Sequence, residues 1–265
     1  MELGLRDRVC VVTGASSGIG RSTALVLAAE GASLLLVGRR SDPLGATATA
    51  CLDAGGRALA LTLDLTRDDA PGRISEAGRA AFGRVDALVN SAGTSAVRTV
   101  EQLTDDEWQA QWELHVMAPM RLMRELAPAM ADRGWGRIVN VCSSSGKRPS
   151  STNMAYSVTK AAQLSLSRSF ADLYAARGVL VNAVTPGPVA AELWLAPGGL
   201  ADQQAAARGI TRDDVLDATA ARIPLGRLGS PDEIASVIAF LCSERASDVA
   251  GAAWSVDGGS VPGII

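Results

Sequence analysis

One histidine and four cysteines in 265 residues are poor material for a metal centre. Cys10, Cys51, Cys142 and Cys242 are scattered without ligand spacing, and Cys10 and Cys142 sit in apolar runs that suit small reduced core residues. No metal is expected. Charge of one sign is lacking too: 25 Lys and Arg stand against 28 Asp and Glu, a net charge of −3, with no block of like charge. That offers no footing for nucleic acid or for an anionic membrane surface. No apolar run reaches the ~18–20 residues that span a bilayer. Residues 1–8 are mixed and charged and resemble no signal peptide. The expectation is a soluble, cytoplasmic protein.

No internal repeat and no Pro/Ser-rich linker interrupts the chain, so residues 1–265 read as a single domain, long enough to bury a substantial core. Short apolar, β-rich runs recur at residues 9–12, 33–37, 58–63, 85–89, 137–142, 179–184 and 252–256, separated by longer Ala/Leu-rich helical stretches. Continuous apolar strands alternating with helices predict an α/β fold: a doubly wound, Rossmann-like parallel sheet of about seven strands, with helices on both faces.

Directly after the first strand comes Thr13-Gly14-Ala15-Ser16-Ser17-Gly18-Ile19-Gly20. Glycines permit a tight turn and close backbone approach, and the helix that follows offers free N–H groups to a pyrophosphate. The spacing is G-x-x-x-G-x-G rather than the commoner G-x-G-x-x-G. An ordinary glycine-rich turn would look similar; its place at the head of a series of βα units favours a dinucleotide site. The second strand ends in Gly38-Arg39-Arg40, and Ser41-Asp42-Pro43 is expected to cap the next helix. An acidic residue at that strand end suits a free ribose 2′-hydroxyl, whereas arginine suits a 2′-phosphate. Glycine followed by two arginines favours NADP(H) over NAD(H), which stays the alternative; Ser17 contributes no charge to that choice. Asp64 and Leu65 close the third strand and suit the border of an adenine ring. Asn90-Ser91-Ala92-Gly93, small residues after the fourth strand, let backbone approach the cofactor.

Tyr156 and Lys160 are i, i+4 neighbours on a helical stretch and leave the same face. An ammonium held there is expected to pull the phenol down from its usual value of about 10. A tyrosine so tuned passes a proton to or from an alcohol or carbonyl oxygen. Ser143, thirteen residues earlier, brings a hydroxyl to the same oxygen. The only histidine, His115, lies four residues before Pro119. Proline has no N–H, so in a helix the His115 carbonyl loses its partner.

In this order and at these spacings the motifs resemble the short-chain dehydrogenase/reductase family. They run through Thr13 to Gly20, Asn90 to Gly93, Ser143, Tyr156-x-x-x-Lys160, Pro186-Gly187 and Val256-Asp257-Gly258-Gly259. The nearest flavour is the group resembling 3-oxoacyl-carrier-protein reductases. The resemblance implies hydride exchange between NADP(H) and a carbonyl or secondary alcohol, with an acyl thioester among the substrate classes; an NAD-dependent sugar or cyclic-alcohol dehydrogenase is the alternative, and a non-catalytic dinucleotide-binding regulator on the same fold a remote one. It implies Tyr156 as general acid/base, Lys160 holding the nicotinamide ribose, Ser143 orienting the substrate oxygen, and a homotetramer. His115 stands where the family usually carries a catalytic asparagine whose backbone carbonyl holds a relay water. Its imidazole is expected to add a titrating group. Ala191 replaces a frequent threonine that binds the carboxamide, so nicotinamide anchoring shifts to backbone, Val189 included. Residues 188–222 correspond to the family's substrate lid. There Trp194 reads equally as an apolar substrate wall or as a packed helix residue. Ser145, Lys147, Arg148 and residues 94–97 are expected at the same mouth.

Overall fold

The computed structural model describes residues 2–263. The elements, in chain order, are β1 (Val9–Thr13), α1 (Gly18–Ala29), β2 (Ser33–Gly38), α2 (Ser41–Asp53), β3 (Arg57–Thr62), α3 (Ala70–Phe82) and β4 (Ala87–Asn90). They continue with α4 (Asp105–Trp112), α5 (Ala118–Asp132), β5 (Gly136–Val141), α6 (Met154–Tyr174) and β6 (Val179–Pro186). Then follow α7 (Glu192–Leu195), α8 (Leu200–Arg208), α9 (Arg212–Ala220), α10 (Pro231–Cys242) and β7 (Ala253–Val256). The expected strands all form, with ends shifted by no more than two residues.

The strands make one seven-stranded sheet in the order β3-β2-β1-β4-β5-β6-β7, with every pairing parallel. Side chains alternate across a strand, so each apolar strand feeds two cores. Cys10, Val12, Leu34, Leu36 and Val139 pack on one face under α1, α2 and α10. Val11, Leu35, Leu88 and Ile138 pack on the other under α3, α5 and α6. Leu34, Leu35 and Leu36 are all fully buried, and each contributes roughly 1.5–3 kcal/mol of transfer free energy. The exceptions are β3 and β7, whose residues are largely half-buried or exposed because each ends the sheet.

The strand order reverses between β1 and β4, the chain crossing from one half of the sheet to the other. In such sheets the crevice beyond the carboxyl ends of the strands at that reversal is the natural ligand position. One local expectation is corrected. Ser41 is the first residue of α2 rather than its cap; Arg40 occupies the cap position without a side-chain bond to the helix, and the Ser41 hydroxyl donates to Asp42 Oδ1 at 3.0 Å.

Candidate functional site

A cavity of about 440 Å³ opens at that reversal, walled by the loops after β1, β2, β3, β4, β5 and β6 and by α7. Its floor is the glycine-rich turn. Gly14 has φ +67°, and a Cβ there would lie 2.8 Å from Ala92 Cα; one at Gly20 would lie 2.3 Å from the Gly14 carbonyl oxygen. Glycine is required at both places because the turn folds against itself and against the β4 loop. Thr13 fastens that contact: its hydroxyl accepts from the N–H groups of Ser91 (3.0 Å) and Ala92 (3.2 Å) and donates to the Val89 carbonyl. The clasp joins two motif stretches 78 residues apart, a contact that no local spacing predicts.

Ser16, Ser17, Gly18, Ile19 and Gly20 line the cavity at the start of α1, where free N–H groups suit an anion. Arg39 and Arg40, both exposed, lie at the adjoining wall directly after Gly38, the last residue of β2. Asp64 and Leu65 also line it. The Asp64 carboxylate accepts from the Thr66 N–H (3.0 Å) and hydroxyl (2.8 Å), and the N–H bond first, then the hydroxyl and Arg39, hold it below the usual carboxylate range. A glycine floor, a helix start and paired guanidinium groups are the donor set a phosphorylated dinucleotide needs. The residues present fit such a cofactor.

At the other end stand Ser143, Tyr156 and Lys160. Ser143 caps the short 3₁₀ turn Ser144–Gly146, its Oγ accepting from the Ser145 N–H at 3.1 Å. That turn lies against α6: a Cβ at Gly146 would sit 2.9 Å from the Lys160 carbonyl carbon. Glycine therefore sets the spacing between the serine and the Tyr156/Lys160 pair. Lys160 is almost fully buried, and its ammonium donates to the Val141 carbonyl and Gln163 Oε1, each at 2.9 Å. Burial pulls it down to about 8. Tyr156 opens partly onto the cavity, yet burial pushes its phenol up to about 12 against the opposing pull of the Ser143 hydroxyl. The expected lowering by Lys160 is thus not what governs this tyrosine. The ammonium lies 5.6 Å from the ring centroid, with its hydrogen bonds directed elsewhere.

His115 is fully buried and does not line the cavity. It sits in a π-helical turn, Glu113–Met117, between α4 and α5, where the Ala118 N–H reaches back to the Glu113 carbonyl. Such turns are rare and concentrate at functional sites. Its Nε2 accepts from the Thr94 N–H at 3.2 Å, so Nδ1 carries the proton and donates to Thr159 Oγ1 at 3.1 Å. Thr159 in turn donates to the Tyr156 carbonyl at 2.9 Å, and the imidazole meets the Tyr156 ring edge-on at 5.3 Å. Burial and then the Lys160 charge keep it well below 6.5. The imidazole is a neutral strut, not the titrating group expected. Asn90 is likewise outside the cavity wall: its amide donates to Asn140 Oδ1 at 2.8 Å inside the sheet.

Gly93, Ala92, Pro186, Gly187, Val189, Ser145 and Trp194 do line the cavity. Val189 bridges to Gly229 through the Pro188 carbonyl and the Ala190 N–H, so the Val189 N–H is not used by that bridge. Lys147 and Arg148 do not reach the wall; the Lys147 ammonium is tied to the Ala253 carbonyl and Ser255 Oγ. Asn153 and Leu114 are wall residues absent from the sequence-based expectations, and Glu192 lines the wall from within the lid. Asn153 enters as the cap position of α6 and Leu114 through the π-helical turn, and neither belongs to a motif.

Residues 8–196 match the family model for short chain dehydrogenase. The chain is 38% identical over 254 residues to the cis-4-hydroxycyclohexanecarboxylate dehydrogenase of Sinomonas cyclohexanicum, covering 96% of each. It is 35% identical to the 3-oxoacyl-(acyl-carrier-protein) reductase of Salmonella typhimurium, covering 97% of this chain and 98% of the relative. Among solved structures, the L-sorbose reductase of Gluconobacter frateurii, complexed with NADPH and L-sorbose, superimposes with a TM-score of 0.93 at 36% identity over 100% of both chains. With a Rossmann-like sheet, a glycine-floored cleft and these relatives, the chain belongs to the short-chain dehydrogenase family and is an oxidoreductase acting on alcohol or ketone groups.

Proposed function

We propose that this protein is an NADP(H)-dependent carbonyl reductase in which Tyr156 is the general acid, Ser143 orients the substrate oxygen and Lys160 holds the nicotinamide ribose. The observation that carries the reading is one continuous cavity with Arg39 and Arg40 at one end and Ser143, Tyr156 and Lys160 at the other. When bound, NADPH supplies the hydride that the carbonyl carbon receives. The protein supplies the proton and the placement. A phenol near 12 is protonated at neutral pH, which suits donation to a carbonyl oxygen that is gaining charge. An ammonium has three protons. Val141 and Gln163 take two of those on Lys160, leaving one for a ribose hydroxyl.

Cofactor contacts are assigned to Gly14, Ser16, Ser17, Gly18, Ile19 and Gly20 at the pyrophosphate. Arg39 and Arg40 are assigned to the 2′-phosphate, Asp64 and Leu65 to the adenine, and Ala92, Gly93, Pro186, Gly187 and Val189 to the nicotinamide side. Residues 188–222 form the lid of a single domain, with Ser145 and Trp194 toward the substrate. The oxidative reading, an NAD-dependent dehydrogenase of a cyclic alcohol or sugar, draws on the 38% identity to a cyclohexanol-type dehydrogenase. An acyl thioester held on an acidic carrier has less support: Arg133 and Arg177, the exposed arginines that would attract such a carrier, are paired with Asp86 at 3.7 Å and Asp132 at 2.7 Å. Four buried free cysteines suit a reducing, cytoplasmic setting. Exposed Met154, Val158 and Leu173 on α6 suit assembly into a homotetramer.

Tyr156→Phe is the direct test. It should lower turnover at least a hundredfold on any ketone substrate while the Kd for NADPH changes less than threefold. Substantial residual turnover would remove Tyr156 from the role of proton donor.

A further inference from the structure

The roof of the cleft is fastened to its floor by a contact that the family motifs do not contain. Arg40 Nη2 donates both to Glu192 Oε2 at 3.0 Å and to Ser16 Oγ at 3.3 Å. Three distant segments meet there: the glycine-rich turn, the end of β2 and the first residue of α7. Beside it Gly18 of the turn faces Ala191 of the roof, for a Cβ at Gly18 would lie 3.4 Å from Ala191 Cβ. At the far end of the same roof, Gln203 Oε1 on α8 accepts from the Val97 N–H at 2.9 Å. The Arg40 and Glu192 side chains are each 53% exposed, so their pair is weak, screened and exchangeable. Arg39 beside them has no hydrogen-bond or ion-pair partner among the described residues.

We infer that Glu192 is a specificity-determining residue that competes with the cofactor's 2′-phosphate for Arg40 and ties the position of α7 to which cofactor is bound. This rests on the proposal that Arg39 and Arg40 receive that phosphate. A phosphate dianion on Arg40 stands beside the Glu192 carboxylate, and the two like charges repel. NADP(H) therefore displaces Glu192 and frees the first turn of α7. NAD(H) presents a 2′-hydroxyl, which can donate to a carboxylate. Glu192 then serves it in the place where Gly38 leaves the strand end without an acid, and the Arg40 link persists. A lid residue thus tempers an NADP(H) preference written at the end of β2.

The experiment is titration of NADPH and NADH into the full chain, its Glu192→Gln variant and an Arg39→Asp control, with hydrogen exchange followed for the amides of residues 192–196. Glu192→Gln should tighten NADPH by about two- to fivefold, the worth of one exposed ion pair. NADH should stay the same or weaken, and the gain should fade above ~0.5 M salt. NADP⁺ should raise exchange over residues 192–196 in the parent protein and NAD⁺ should not, with the difference lost in the variant. Unchanged NADPH affinity in Glu192→Gln, or equal exchange with both cofactors, overturns the inference even if Arg39→Asp weakens NADPH. If Arg39→Asp leaves NADPH binding intact, the phosphate assignment itself fails, and the inference with it. Glu192→Ala, which lacks the amide's donors, should reproduce the direction of the Gln variant; an opposite shift also counts against the competition.

Discussion

Tyr156, Lys160 and His115 show how burial overrides what side-chain type suggests. The phenol is raised to about 12 and the ammonium lowered to about 8, both mainly by loss of water. Reduction as proposed uses a protonated Tyr156 and a charged Lys160. Raising the pH past about 8 discharges the lysine first, so the rate of ketone reduction should be level from about pH 6 to 7.5 and fall above about 8. Steady-state rates across that range, at saturating NADPH, check the sign; a rate that climbs through pH 8 would contradict it. His115 adds no limb near 6.5, because burial and Lys160 keep it neutral over the whole range. His115→Asn should leave the shape of the profile intact. His115→Ala strips partners from the Thr94 N–H and the Thr159 hydroxyl, and should cost about 2–4 kcal/mol in denaturant unfolding.

At the scale of elements, the proposed reaction centre is a matter of how closely one short turn approaches one helix. Ser143 belongs to the 3₁₀ turn after β5, whereas Tyr156 and Lys160 belong to α6. Gly146 sets their separation, since a methyl group there would press on the Lys160 backbone at 2.9 Å. Gly146→Ala should therefore lower kcat by about tenfold or more, with NADPH affinity changed less than threefold, because it moves the serine and not the dinucleotide turn. Equal losses in both would place the strain elsewhere. The π-helical turn between α4 and α5 works in the same way. It carries His115 to a point from which one imidazole braces the β4 loop and α6 together.

For the whole molecule, the parallel sheet and its reversal between β1 and β4 gather loops from across the chain into one cleft. Among the exposed large hydrophobics, Met154, Val158 and Leu173 share α6, which suits a surface covered by further copies of the chain. Sedimentation equilibrium should then return four times the 27.3 kDa of one chain. A charged pair at Val158 and Leu173 should lower that mass; a monomer in the parent protein would refute the tetramer.

The amino-acid sequence alone specified the α/β alternation, the dinucleotide turn, and Ser143, Tyr156 and Lys160. Those features depend on local periodicity, on glycine's freedom from a Cβ and on i, i+4 spacing, all of which act over a few residues. Only the tertiary structure decided what those groups experience. Burial reversed the expected shift at Tyr156, and two hydrogen bonds fixed His115 as a neutral brace. Asn90 was drawn into the sheet by Asn140, and Glu192 was brought to Arg40 from 152 residues away. Desolvation and long-range contacts depend on what the rest of the chain places around a residue, and no short stretch of sequence contains them.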